Sequence, residues 1–239
     1  MISYELSITG IDGCGKSTSI SNLIDKESQN YDAIAMVGKS SYIDGQKFDN
    51  RKYLFKNVSA AMDLGHCIGT YLKSRFLVSG VNAVNGLVCT AINLQIRKKY
   101  NPDIIIYGRD LILDPAVYLP IYHPSTKNIS MEKRLNFFSK IFKTNVPSNL
   151  VYLFLDPQIA LERIDARIRE HNSKPGNIEC WKHLHETKQG LSFLAEEFEK
   201  GLFELRKNGT KILRIDTGRY SLEDVVEQIR QNIHANVPL

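Results

Sequence analysis

Gly10-Ile11-Asp12-Gly13-Cys14-Gly15-Lys16-Ser17-Thr18 has the residue types and spacing for phosphate chemistry. Gly10, Gly15, Lys16 and Ser17 fit G-x-x-x-x-G-K-[ST], the Walker A phosphate-binding loop. Glycines let successive backbone N–H groups turn inward with no Cβ in the way. Those amides and the N-terminus of a following helix present partial positive charge to phosphate oxygens. Lys16 is expected to reach the β- and γ-phosphates of a nucleoside triphosphate, and the Ser17 hydroxyl to ligate Mg²⁺. Gly10, Asp12, Gly13, Cys14, Gly15, Lys16, Ser17 and Thr18 therefore form the candidate nucleotide-binding segment.

Other charged residues fall where such chemistry would use them. Gly108-Arg109-Asp110 follows the apolar run Ile104-Ile105-Ile106-Tyr107, and Asp114-Pro115 comes next. Arg109 suits a substrate phosphate, and a carboxylate beside it suits Mg²⁺ or the attacking oxygen; the alternative is an exposed ion pair of little worth. Lys39 follows a second strand and reads either as a phosphate contact or as a solvated loop lysine. Arg163 and Arg167, four apart, project from one helix face. They precede the polar turn Glu170-His171-Asn172-Ser173-Lys174-Pro175-Gly176, which suits a lid closing on phosphates.

The elements that must position these groups alternate. Residues 4–9 read as a strand entering the loop, and Ile20, Leu23 and Ile24 mark an amphipathic helix leaving it. Strands are expected at 31–37, 104–107, 149–155 and 211–215. Helices are expected within 59–99 and over 130–143, 159–169, 178–207 and 221–233. Ser130 and Ser221 are placed to cap the starts of their helices. His183 and His185 would lie on the 178–207 helix at i, i+2, on different faces, which argues against a metal site. Strand–helix alternation predicts a parallel sheet with helices on both faces.

The 239 residues carry a net charge of +5, with 43% hydrophobic and 24% charged residues, ordinary for a globular protein. One phosphate loop and an even scatter of apolar segments predict a single domain over 1–239. No long basic run points to nucleic acid. No uninterrupted apolar stretch of about 18 residues points to a membrane span. The loop begins close to Met1, leaving no room for a signal peptide, and Cys14, Cys67, Cys89 and Cys180 are widely spaced. These features predict free thiols in a reducing, cytoplasmic setting.

The sequence resembles the thymidylate kinase family of P-loop nucleoside monophosphate kinases. The loop, including Asp12 after Gly10-Ile11, is close to that family's version. Ala160-Leu161-Glu162-Arg163-Ile164-Asp165-Ala166-Arg167 is similar to its run into the lid. Ile215-Asp216 with Ser221-Leu222-Glu223-Asp224-Val225 is similar to its closing segment, and Gly108-Arg109-Asp110 stands at its D-R-[YH] motif. The resemblance implies a three-layer αβα sandwich, a five-stranded parallel sheet ordered 2-3-1-4-5, and a helical lid near 163–177. It implies transfer of the ATP γ-phosphoryl group, with Mg²⁺, to a nucleoside monophosphate, dTMP first, by a homodimer. Lys16 would then hold the transferring phosphate, Ser17 the metal, Asp12 would face the acceptor nucleotide and Arg109 its phosphate. Cys14 stands where some members carry an arginine. Members without it supply one from the lid, so Arg163, Arg167 and Arg169 inherit that role.

Gly108 replaces the family's Asp, so the metal-side carboxylate is missing or shifted to Asp110 or Asp114. Arg75 and Arg97 are badly placed for the family's base-contacting arginine, and residues 38–60 match its substrate loop poorly. Two readings therefore stay beside the first. One is a P-loop kinase for another nucleotide, nucleoside or small phosphorylated acceptor. The other is an ATP-binding regulatory protein of weak activity.

Overall fold

The computed structural model describes residues 3–37, 40–43, 46–49, 98–174 and 182–237. Lys39, Arg75, Arg97 and nearly all of the 59–99 stretch lie outside the described residues, as do Cys67, Cys89 and Cys180.

The strands β1 (Tyr4–Thr9), β2 (Ala33–Val37), β3 (Ser40–Ile43), β4 (Gln46–Asp49), β5 (Ile104–Tyr107), β6 (Asn149–Phe154) and β7 (Lys211–Asp216) form one sheet. Their order is β4-β3-β2-β5-β1-β6-β7. Among the described residues the sheet thus has seven strands where five were expected, it is mixed rather than all parallel, and its order over all strands differs accordingly. The difference lies at one edge. There β2 pairs antiparallel with β3, and β3 with β4. The five strands β2-β5-β1-β6-β7 pair in parallel, with Leu6 opposite Ile106 and Ile8 opposite Val151.

Burial on both faces explains the unbroken apolar runs. Ile104, Ile105 and Ile106 are all fully buried, although neighbours along a strand face opposite ways. Ile104 and Ile106 join the main core with Leu6, Ile8 and Ala35. Ile105 packs on the other face with Ile34, Met36 and Ile43.

Six α-helices lie wholly within the described residues: α1 (Lys16–Glu27), α2 (Leu113–Tyr122), α3 (Met131–Phe142), α4 (Pro157–Asn172), α5 (Lys188–Lys207) and α6 (Leu222–His234). They pack in two groups, α1 with α6, and α2, α3 and α4 with α5. Glu27, buried at the end of α1, ties the first group by accepting from Arg230 Nε at 2.7 Å and pairing with His234 Nε2 at 3.0 Å. Arg134 ties the second. It pairs with buried Glu197 of α5 and donates to the Ala116 carbonyl of α2 at 2.7 Å.

Local chemistry sets the helix starts. Ser221 and Asp224 form a reciprocal capping box at α6. Asp156 caps α4, with Pro157 in its first turn. Ser130 caps α3 through Lys133 N. The helix expected over 178–207 begins only at Lys188, because the Thr187 hydroxyl accepts from Gly190 N and fixes the start there. Residues 182–187 are not helical, so His183 and His185 do not sit on a helix. Residues 163–172 of the expected lid form the second half of α4. Among the described residues, no helix is long and apolar enough to cross a membrane.

Candidate active site

Parallel strands put the loops after β1, β5, β6 and β7 along one edge of the sheet, where open α/β sheets bind ligands. The Gly10–Thr18 loop leaves β1 and wraps into α1. Gly13 has φ +84°, and a Cβ there would stand 2.6 Å from the Ala160 carbonyl of α4, so only glycine lets the loop seat against that helix. Gly15 has φ +94°, and among the described residues nothing lies within 4 Å of the position its Cβ would take. Its backbone is therefore left-handed on an open side, as a backbone approached closely by a ligand requires.

The helix end beside it is uncompensated. No side chain caps α1, and its first turn holds no acidic residue. Its first N–H groups and its dipole are left to whatever anion approaches. Lys16 is buried and bridges the loop, donating from Nζ to Gly10 O at 2.6 Å and Ile11 O at 2.9 Å. Ser17 and Thr18 are exposed in the first turn. Cys14 is fully buried, its thiol pushed up by burial and its Sγ 3.8 Å from Lys16 Nζ.

The two aspartates after β5 divide their work. Asp110 Oδ2 accepts from the Ser7 hydroxyl at 2.8 Å, and its Oδ1 accepts from Ile112 N at 2.9 Å and Leu113 N at 2.6 Å. It caps the start of α2 and ties it to β1. Asp114 Oδ2 accepts from the Thr9 hydroxyl at 2.8 Å and from Asp110 N at 2.9 Å. Its Oδ1 is buried and, among the described residues, has no hydrogen-bond partner. Burial pushes Asp114 up to about 6, against the opposing charges of Arg109 and Lys16. Burial raises Asp110 as well.

Asp12 is the hub on the other side. Its Oδ2 accepts from the Tyr118 hydroxyl at 2.9 Å and lies 2.7 Å from His185 Nε2; its Oδ1 is 3.4 Å from Arg109 Nη2. Burial alone would raise this carboxyl. The His185 hydrogen bond, with the charges of Arg109 and Lys16, outweighs it and holds Asp12 well below the usual carboxylate range. The Arg109 side chain is 51% exposed and passes over the Tyr118 ring at 5.7 Å.

The arginines of α4 are spread rather than gathered. Arg163 Nη2 donates to the Thr217 carbonyl at 2.8 Å, beyond β7. Arg167 Nη2 is 3.2 Å from Oε1 of buried Glu186. Arg169 lies in the last turn of α4. The structure thus gathers Lys16, Asp12, Arg109, Asp110 and Asp114 at the β1 and β5 ends, while Arg163 and Arg167 are tied to neighbouring loops.

Sequence reasoning missed Tyr118, Tyr122, His185 and Glu186. Thr187 followed by Gly190 was the available signal that residues before 188 leave the helix. No group of three or more His, Cys, Asp or Glu among the described residues forms a metal cluster.

No protein-family profile matches this chain, and no curated protein matches it by sequence. Its fold, however, has solved counterparts. The deoxyadenosine kinase of M. mycoides, with the products dCMP and a flexible dCDP bound, superposes with a TM-score of 0.60 at 15% identity, covering 97% of this chain and all of that one. The same kinase with dATP bound gives 0.55 at 14% identity, covering 97% and 99%. The likeness is one of fold. On that shared fold this chain carries its glycine loop at the same sheet edge as Asp110 and Asp114.

Proposed function

We propose that the protein transfers the γ-phosphoryl group of ATP to a deoxynucleoside or deoxynucleoside monophosphate, with dTMP the first acceptor to try. One observation carries the proposal. A left-handed glycine loop, an uncapped helix start and Lys16 converge at the sheet edge where Asp12, Arg109 and Asp114 also stand.

Phosphoryl transfer is mainly positioning and neutralisation of spread negative charge. In this reading the loop amides and Lys16 hold the donor phosphates. Arg109, half in solvent beside Asp12, supports an acceptor that itself bears a phosphate. Arg163, Arg167 and Arg169 supply cationic charge from α4. The nucleosides and nucleotides named for the structural neighbours widen the set to be tried from thymidylate to deoxynucleosides and deoxycytidylate.

The residues fit Mg²⁺, a hard cation held by one or two carboxylates plus phosphate oxygens and water. Ser17 offers a hydroxyl. Asp114 offers a buried carboxylate oxygen without a partner among the described residues, whereas both oxygens of Asp110 are already engaged. We therefore assign the metal-side carboxylate to Asp114, with Asp110 holding it through its N–H. When bound there, the cation would neutralise charge on the transferring phosphates.

The test is ADP release by the wild-type protein with ATP and Mg²⁺ across the four deoxynucleosides and their monophosphates. Stimulation by one acceptor, dTMP first, is expected. ATP binding with no stimulation by any acceptor would favour the regulatory reading and sink the kinase.

A further inference from the structure

Two adjacent residues outside every sequence motif reach into the site from the segment before α5. The His185 side chain is 5% exposed, with Nε2 2.7 Å from Asp12 Oδ2 and Nδ1 3.3 Å from the Tyr122 hydroxyl. Tyr118 and Tyr122 meet the ring edge-on at 5.2 and 6.1 Å, and His183 stacks on it at 5.6 Å. Because Asp12 is held anionic, Nε2 must donate. A ring that carries its proton on Nε2 leaves Nδ1 to accept from the Tyr122 hydroxyl, so one tautomer would satisfy both neighbours.

Glu186 turns the other way. Its side chain is 1% exposed; Oε2 accepts from His183 N at 2.6 Å, and Oε1 meets Arg167 Nη2 at 3.2 Å. Gly190 lets this segment close on the first turn of α5, since a Cβ there would stand 2.3 Å from the His185 carbonyl. Consecutive side chains thus fix one residue of the phosphate loop and one arginine of α4.

We propose that His185 and Glu186 form a positioning bracket, in which His185 orients the Asp12 carboxylate toward the acceptor and Glu186 orients Arg167 toward the transferring phosphate. The kinetic part of this proposal rests on the kinase reading. The structural part does not. Neither residue touches reacting atoms; each acts through its partner.

The test has two arms. In the full-length protein, ¹⁵N shifts of the His185 ring are expected to show one tautomer, protonated at Nε2, and Asp12→Asn is expected to perturb it. Kinetically, His185→Ala should lower kcat/KM for the acceptor by about 10- to 100-fold, the range of a lost hydrogen bond to a charged group. The KM for ATP should not change. His185→Gln, whose amide N–H can replace Nε2–H, should recover part of the loss. Glu186→Gln should lower kcat with the acceptor KM unchanged. Mixed tautomers indifferent to Asp12→Asn, wild-type kinetics in His185→Ala, or equal loss in His185→Gln and His185→Ala would each overturn the bracket. Should the wild type phosphorylate no acceptor, the kinase reading fails, and the ring shifts still decide whether His185 holds Asp12.

Discussion

Asp114→Asn should remove much of the protein's loss of stability with rising pH and lower its activity at once. Burial raises the Asp114 carboxyl from 3.8 to about 6. The native state therefore binds its proton more tightly than the unfolded chain does. The stability gained this way is fully present below about pH 4 and is lost as pH rises through about 6. Two pK units correspond to about 3 kcal/mol. The substituted amide keeps an oxygen for the Thr9 hydroxyl and the Asp110 N–H but has no proton to lose. Its nitrogen would stand where Oδ1 has no partner, a cost of about 1–3 kcal/mol at every pH. Relative to wild type, the variant should gain about 3 kcal/mol between about pH 4 and pH 8. Urea unfolding in EDTA across that range reads this directly. If Asp114 also holds Mg²⁺, kcat should fall by about 100-fold, at the upper end for lost support of a metal site. Parallel stability curves for the two proteins would refute the burial argument. Full activity in the variant would refute the metal assignment.

Further outcomes follow from the same geometry. Gly15→Ala places a Cβ on a left-handed backbone, a strain of about 1–2 kcal/mol, yet clashes with nothing. It should fold and lose ATP affinity by calorimetry; undiminished binding would remove this loop face, open among the described residues, from the site. Arg134→Met leaves buried Glu197 with Lys200 alone among the described residues and should cost about 3–5 kcal/mol in urea unfolding, while the double change with Glu197→Met should recover much of it. Recovery absent from the double variant would deny that unpaired charge is the cause. Arg163→Ala and Arg167→Ala should each lower kcat more than they raise KM, as groups acting in the transition state do. Arg163→Ala should in addition lose about 1 kcal/mol of stability with its tie to Thr217. Wild-type kcat in both would return them to surface roles.

The turn between β1 and α1 was legible because its demand is written in backbone terms, and Gly10, Gly13 and Gly15 all have positive φ. The five parallel strands were legible because burial on both faces leaves unbroken runs such as Ile104-Ile105-Ile106. The edge hairpin was not. Its strands are four residues each, too short for periodicity to speak. Only the dipeptide Asp44-Gly45, favoured in two-residue hairpin turns, stood between them. Which aspartate caps a helix and which keeps a free oxygen also escapes the sequence. Asp110 and Asp114 differ only in which N–H and hydroxyl groups the fold brings to them. Helical spacing arithmetic discounts His185 and does not apply to it, because Thr187 starts the helix after it. In the irregular segment His183 and His185 lie nearly parallel, 3° apart.

Transfer of labelled γ-phosphate from ATP, followed in wild type and Lys16→Ala, tests the central claim most directly. Label should appear on a deoxynucleoside or its monophosphate with the wild-type protein and vanish with a folded Lys16→Ala. Label that stays on ATP whatever the acceptor, or that moves equally well without the Lys16 ammonium, would contradict the account.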